Sequence, residues 1–227
     1  MKPKHIIIVR HGESEANINK GLYENTPDHI MQLTVKGKEQ CVQRGQSLRP
    51  LLNGKRITVW QSPYMRTRQT ADIIVSQLEQ ATVKVKEDPR LREQEWGNFY
   101  TLEQAKKENE DRKRHSNFFY RVTNGESGAD VYDRISAFLE TLHRDFAEDN
   151  WTESILISTH GITAQIFLMR FFHWKYEEYE TTDRFSNCDY VVLELDENTQ
   201  KYSISQDNRS IKAKSQTIAF RGIQLYF

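Results

Sequence analysis

The chain has 227 residues, of which 37% are hydrophobic, and its 32 basic and 32 acidic side chains give a formal net charge of zero. This length suits one folded domain. A balanced charge gives no global reason to expect a nucleic acid or an anionic membrane as partner. The apolar run near the N-terminus extends only from Ile6 to Val9, too short for a signal peptide, and no stretch is long enough to span a membrane. We therefore expect a soluble, cytoplasmic protein without nucleic-acid or membrane partners.

The sequence shows no internal repeat and no low-complexity tract, so one domain over residues 1–227 is the simplest organisation. The two cysteines, Cys41 and Cys188, lie far apart and match no metal-binding or redox spacing. We expect buried, neutral thiols in a reducing compartment rather than a disulfide.

The first predicted element is a short buried strand from His5 to Arg10, centred on a β-branched apolar run. Ser14 is positioned to cap a short helix that follows the strand. The turn between them places Arg10 and His11 at the carboxyl end of the strand, next to a helix N-terminus. Free backbone N–H groups and the helix dipole attract anions there, and open α/β sheets bind their ligands at such ends.

Apolar patterns then predict an alternation of strands and helices. Further strands are predicted at Ile57–Gln61, Thr82–Lys86, Ser154–Ser158, Tyr190–Leu195 and Lys201–Ser205. Five longer helices are predicted. The first follows the cap Thr34 and has the apolar face Val35, Val42, Leu48 and Leu52, and the second begins at the cap Ser62 with Pro63. The other three cover Thr101–His115, the apolar stripe from Val131 to Phe146, and Ile162–Phe172. This alternation is typical of an α/β fold, here a three-layer α/β/α sandwich whose central sheet is mostly parallel with helices on both faces.

Two segments stand outside this alternation. Residues Lys106 to Tyr120 are basic and then aromatic, and they form either a small inserted helical cap over the site, roughly 97–124, or a solvated surface helix. The last residues, Ser215 to Phe227, are apolar enough to dock but carry no motif.

Two histidines follow predicted strands in the same way. His160 and Gly161 repeat the His-Gly arrangement seen at His11, so the two imidazoles converge if their strands are neighbours. Arg66 falls in the first turn of a helix, where a cation opposes the helix dipole and destabilises the helix by about 0.3–1 kcal/mol. A bound anion would offset that cost. The alternatives are a structural histidine and a solvated arginine.

Two arginines and two histidines in one pocket indicate phosphoryl transfer. The guanidinium groups of Arg10 and Arg66 suit a phosphate by bidentate geometry, and one histidine can attack phosphorus. Nearby arginines lower the pKa of that histidine and keep it unprotonated. The leaving oxygen needs a proton donor, for which Glu93 and Glu95 are the candidates.

Five motifs together resemble the histidine phosphatase superfamily, the phosphoglycerate-mutase-like family. They are R-H-G-E-S at 10–14 with the asparagine at 17, S-P-Y-M-R-T-R-Q-T-A at 62–71, L-R-E-Q-E-W-G at 91–97, N-G-E-S at 124–127 and T-H-G at 159–161. The order is that of the family, and the likeness is greatest to plant and fungal phosphoglycerate-mutase-like proteins of the phosphatase type.

The resemblance implies a role for each matching position. His11 resembles the phosphorylated nucleophile, and the phosphate pocket implied with it consists of Arg10, Asn17, Arg66, His160 and Gly161. Glu93 matches the proton donor, with Glu95 as the fallback. No metal and no organic cofactor is implied.

The resemblance leaves the reaction open between a phosphatase and a phosphoglycerate-type mutase. We favour a phosphatase acting on a small phosphomonoester, because Glu95 stands where the mutases carry histidine and disfavours a second anionic group. A third alternative is an inactive phosphate- or phosphopeptide-binding module, which the unsubstituted motif set disfavours. A monomer and a homodimer are both compatible with the sequence.

Overall fold

The computed structural model of the protein describes residues 2–97, 101–148 and 151–209. Its strands are β1 His5–Arg10, β2 Arg56–Gln61, β3 Thr82–Glu87, β4 Ser154–Thr159, β5 Tyr190–Asp196 and β6 Lys201–Arg209. Its α-helices are α1 Glu15–Ile18, α2 Val35–Leu52, α3 Met65–Ser76, α4 Leu102–His115, α5 Gly128–Glu148, α6 Gly161–Phe171 and α7 Tyr176–Thr181. Every strand predicted from the sequence is present, and the α/β fold is confirmed.

One six-stranded sheet runs in the order β3-β2-β4-β1-β5-β6. The first four strands of that order pair in parallel, whereas β5 pairs antiparallel with both β1 and β6. The sheet is therefore mixed and mostly parallel, as predicted, and its four parallel strands extend from the β3 edge to β1. In the pairing of β1 with β4, Arg10 lies opposite Thr159. The residues that follow, His11 and His160, consequently emerge at the same edge of the sheet.

The alternation of side chains along β1 separates two hydrophobic layers. Ile6 and Ile8 belong to a buried cluster that includes the apolar faces of α5 and α6, and Ile7 and Val9 belong to a second cluster with α2 and α3. Because successive side chains of a strand point to opposite faces, the two clusters lie on opposite sides of the sheet. This gives the predicted three layers, with helices on both faces.

The apolar stripe predicted for α5 is confirmed, since all five of its members are buried, namely Val131, Ile135, Phe138, Leu142 and Phe146. The face predicted for α2 is wrong at Val35, which is 76% exposed. Leu48 and Leu52 are buried as predicted. Toward the start of α2 the buried face consists of small residues, with Gly37, Cys41 and Gly45 at successive four-residue intervals. A Cβ atom at Gly37 would lie 2.0 Å from the backbone oxygen of Glu13, so this helix packs too closely for a larger residue.

The start of α3 also differs from the prediction. The helix begins at Met65 rather than at Ser62 and Pro63, and Ser62 does not cap it. The Ser62 hydroxyl contacts a histidine across the sheet edge instead, so a tertiary contact overrides the local capping preference. Arg66 nevertheless lies in the first turn, as predicted.

The predicted cap segment, roughly 97–124, contains α4 and the turn after it, and its residues 98–100 lie outside the described part. The predicted docking segment, Ser215 to Phe227, lies wholly outside it. No helix within the described ranges is long and apolar enough to cross a membrane.

Candidate active site

Two buried imidazoles form the centre of a site at the carboxyl ends of β1 and β4. His11 is 2% exposed and His160 is fully buried, and their ring centroids lie 5.3 Å apart at an interplanar angle of 66°. The two histidines predicted to converge are thus brought together, because their strands are direct neighbours in the sheet.

The hydrogen bonds of His11 define its tautomer. Its Nδ1 lies 2.7 Å from the carbonyl oxygen of Gly12, and its Nε2 lies 3.3 Å from Nε of Arg66. A carbonyl oxygen can only accept and a guanidinium can only donate. Therefore Nδ1 carries the proton, and Nε2 presents its lone pair to the arginine.

The same reasoning defines the tautomer of His160. Its Nδ1 lies 3.3 Å from Nη2 of Arg66, and its Nε2 lies 2.9 Å from the hydroxyl of Ser62. Nδ1 must accept from the arginine, so Nε2 carries the proton and donates it to the serine oxygen. Each imidazole thus turns an unprotonated nitrogen toward one guanidinium.

Both histidines are held in the neutral form. Burial lowers the pKa of His11 well below its usual value, and the positive charges of Arg66 and Arg10 lower it further. Burial likewise lowers the pKa of His160 well below its usual value, and the positive charge of Arg66 is the next largest cause of that decrease. A cation in a poorly solvated, positively charged pocket is unfavourable, so the imidazoles remain unprotonated near neutral pH.

Two arginines approach this centre from different elements. Arg66 is 3% exposed and contacts both imidazoles, while its outer edge pairs with the carboxylate of Asp28 at 2.7 and 3.2 Å. Arg10 donates from Nη1 to the carbonyl of Phe185 at 2.6 Å, and its buried Nε–H has no partner among the described residues. Gly161, at the start of α6, packs against this side chain. The guanidinium of Arg10 therefore keeps a free donor.

The two candidate acids lie in different surroundings. Burial raises the pKa of Glu93, while the charges of Arg66 and Arg10 oppose that rise. Part of the Glu93 surface remains accessible, although protein encloses most of the side chain. Glu95 is exposed, and its backbone N–H donates to the carboxylate of Glu126. The charges of both arginines therefore act on Glu93.

Asn17 lies beside the site on α1 and is exposed. Its Oδ1 accepts from the backbone N–H of Ser14 at 3.0 Å and from Nδ2 of Asn187 at 2.9 Å. Because these bonds use the oxygen, the NH2 group of Asn17 remains the donor that a ligand could use. Asn187 also donates to the carbonyl of His11, at 3.4 Å, and so links the loop before β5 to the site.

Three residues of this arrangement were not predicted as site residues. Asp28 lies in a loop with only turn-forming residues as its signal, Ser62 matches the pattern of a helix cap, and Asn187 belongs to no motif. Their positions depend on contacts between distant segments, which local patterns do not encode.

The two cysteines lie directly behind the turn that carries His11. Both are free and buried, as predicted, and their sulfur atoms are 3.5 Å apart. A Cβ atom at Gly12 would lie 2.9 Å from Sγ of Cys41 and 2.6 Å from the backbone oxygen of Gly37. Only glycine at position 12 allows α2 to approach the turn so closely.

A comparison with protein families extends the likeness over most of the chain. The model of the histidine phosphatase superfamily (branch 1) matches residues 6–208. The chain belongs to the histidine phosphatase superfamily. Among relatives in this superfamily, the phosphoglycerate mutase-like protein AT74H of Arabidopsis thaliana is 38% identical over 211 residues, which cover 86% of this chain and 75% of that protein. The broad-range acid phosphatase DET1 of Saccharomyces cerevisiae is 27% identical, covering 88% of each chain.

Solved structures of other proteins share the fold. The alpha-ribazole phosphatase of Shigella flexneri superposes with a TM-score of 0.68 at 21% identity, covering 88% of this chain and 94% of that one. A mycobacterial glucosyl-3-phosphoglycerate phosphatase, solved with VO3, superposes with a TM-score of 0.67 at 17% identity, covering 89% and 97%. At these identities the likeness supports the fold alone.

Proposed function

We propose that the protein is a phosphomonoester hydrolase that acts on a small phosphorylated metabolite through a phosphohistidine on His11. The observation that carries this proposal is the lone pair on Nε2 of a neutral, buried His11, which faces the guanidinium of Arg66 at 3.3 Å. A nucleophilic nitrogen beside a fixed cation suits an electrophile that bears negative charge.

In this proposal the phosphate lies between the two imidazoles and the two arginines. Arg10 donates its free Nε–H, and Arg66 donates from the edge that now faces the histidines. Asn17 adds its NH2 group, and Gly161 adds the N-terminus of α6, whose dipole favours an anion. These donors neutralise the charge on the equatorial oxygens of the transition state.

The first step transfers the phosphoryl group to the enzyme. Nε2 of His11 attacks phosphorus, the bond from phosphorus to the ester oxygen breaks, and that oxygen leaves with the proton of Glu93. The raised pKa of Glu93 favours the protonated acid that this step needs. In the second step water attacks the phosphohistidine and gives a proton to the Glu93 carboxylate, which releases inorganic phosphate and restores neutral His11.

The carboxylate of Glu95, whose charge acts on Tyr64 beside His160, favours hydrolysis over a phosphoglycerate-type mutase reaction. The ring of Tyr64 lies 5.0 Å from that of His160. Burial, followed by the charges of Asp28 and Glu95, raises the pKa of Tyr64 to about 12. Because Glu95 contributes to that rise, we expect its carboxylate to disfavour the second anionic group that a phosphoglycerate carries.

The test measures phosphate release from a panel of phosphomonoesters in the presence of EDTA. The panel includes an aryl phosphate and 3-phosphoglycerate, and the comparison is between His11→Ala and a control, His115→Ala, which changes an exposed histidine at the end of α4. We expect hydrolysis in wild type and control and none in His11→Ala. Isomerisation of phosphoglycerate with little release would establish a mutase. Binding of vanadate without either reaction would establish a binding module and overturn the proposal.

A further inference from the structure

The guanidinium of Arg66 has a partner for each of its five N–H groups. Nε donates to His11, Nη1 donates to the carboxylate and the carbonyl oxygen of Asp28 at 2.7 and 2.8 Å, and Nη2 donates to Asp28 and His160. A phosphate that binds this arginine must therefore replace some of these contacts.

The contacts divide between two edges of the guanidinium. The end-on edge, formed by Nη1 and Nη2, is occupied by the carboxylate of Asp28. The side-on edge, formed by Nε and Nη2, faces the two imidazoles at 3.3 Å each. Bidentate pairs of arginine with carboxylate are charge-assisted and strong, whereas 3.3 Å contacts to neutral imidazole nitrogens are weak. An incoming phosphate would therefore take over the side-on edge and leave the Asp28 pair in place.

The position of Asp28 is unusual for an ion pair of a surface loop. It begins a 3₁₀ turn, Asp28–Ile30, in the segment between α1 and α2, and its side chain is only 26% exposed. Its partner Arg66 is almost fully buried. Burying a carboxylate against a buried cation gives little net stability, because both groups lose hydration. The pair instead fixes the orientation of the guanidinium plane.

We propose that Asp28 is a positioning residue for phosphoryl transfer, which rests on the proposed function of the site. Its carboxylate and its carbonyl oxygen hold the end-on edge of Arg66, so that the side-on edge points between His11 and His160 where the phosphate binds. The arginine is thereby pre-organised and needs no reorientation during the reaction. A purely structural role, in which the pair only anchors the loop to α3, is the alternative that an experiment must exclude.

The test is a double-mutant cycle with orthovanadate as the probe. Affinity for vanadate is measured calorimetrically, and kcat and KM are measured with the aryl phosphate, for Asp28→Ala, Arg66→Ala and the double variant. The control is Asp72→Ala, which removes an exposed aspartate from α3, the helix that carries Arg66. Thermal denaturation of each variant establishes that it is folded under the assay conditions.

We expect Asp28→Ala to weaken vanadate binding by about tenfold and to lower kcat by about 10- to 100-fold with a smaller change in KM. We expect no further loss when Asp28→Ala is added to Arg66→Ala, and no effect of Asp72→Ala. The vanadate affinity and kcat of Asp28→Asn should lie between those of the wild type and of Asp28→Ala. The amide oxygen can still accept from Nη1 of Arg66, while the amide NH2 group opposes Nη2. This conservative variant also serves if Asp28→Ala does not fold.

Two results would overturn the proposal. One is an Asp28→Ala variant with wild-type vanadate affinity and kcat. The other is a loss of vanadate affinity on Asp28→Ala that is equal in the presence and absence of Arg66, which indicates that Asp28 only anchors the loop. If the wild-type protein hydrolyses none of the esters, the proposed function fails. The vanadate cycle still decides the role of Asp28 in that case, because it needs no turnover.

Discussion

The contact between Ser62 and His160 allows a quantitative prediction for Ser62→Ala. Both side chains have no accessible surface, and the serine oxygen accepts the Nε2–H of the histidine at 2.9 Å. The substitution leaves a buried N–H without an acceptor, which costs about 1–3 kcal/mol. For a domain of this size each kcal/mol lowers Tm by about 2–4 °C, so we expect a decrease of about 2–12 °C.

The same substitution should reduce activity beyond its effect on stability. Without Ser62, the proton of His160 is no longer held on Nε2, and a proton on Nδ1 would meet the donor Nη2 of Arg66. If the lost free energy is carried fully into the transition state, kcat/KM falls by about 5- to 160-fold. Thermal denaturation measures the first effect, and steady-state kinetics with an aryl phosphate measures the second.

Ser158→Ala is the matched control for this prediction. The hydroxyl of Ser158 is equally buried and donates to the carbonyl of Thr67 at 2.8 Å, without contacting either histidine. We expect a similar loss of Tm with a much smaller loss of kcat/KM. Wild-type kcat/KM in Ser62→Ala would refute the reasoning, and so would ¹⁵N NMR spectra of the wild-type protein that place the proton of His160 on Nδ1.

Further predictions concern other parts of the site. Arg66→Ala should lower kcat/KM by about 10²–10³-fold, whereas Arg68→Ala, which removes a partly exposed ion pair, should leave kcat unchanged and alter the free energy of unfolding by less than about 1 kcal/mol. Glu93→Gln should lower kcat by about 10²–10⁴-fold. Because Glu93 must be protonated, the wild-type rate should fall as pH rises through its raised pKa, and the residual rate of Glu93→Gln should lack that decline in a pH profile. Gly12→Ala places a Cβ 2.6 Å from the backbone oxygen of Gly37 and should cost about 1–3 kcal/mol in urea-induced unfolding.

Local sequence patterns predicted the strands and the arrangement of β1 well, because a buried strand carries a strong apolar signal. They also predicted that His11 and His160 converge, on the condition that their strands are neighbours. That condition is a property of the whole sheet, in which β1 and β4 pair across more than 140 residues of chain. The pairing itself was therefore not predictable from either segment alone.

Local patterns missed residues whose hydrogen-bond, ion-pair or packing partners are set by distant segments of the chain. Ser62 could cap a helix or accept from His160, and the buried histidine decides that choice because its N–H has no water to bind. Asp28 lies 38 residues before Arg66, in a loop whose only sequence signal is for turns. Val35 matched an apolar spacing, yet the close packing of Gly37 and Gly45 turns Cys41 rather than Val35 toward the core at the start of α2.

The strand order of the sheet has a consequence for how the chain folds during synthesis. The only hydrogen-bonded neighbours of β1 in the described sheet are β4 and β5, so the first strand to be made is paired by segments that begin at residues 154 and 190. At a translation rate of about 5–20 residues per second, roughly 7–29 seconds separate the emergence of residue 10 from that of residue 154. During that interval the apolar side chains of β1 are open to aggregation and to holding chaperones. A chain that stops before residue 154 lacks both partners of β1, and the His11 turn is left without the strand that positions it.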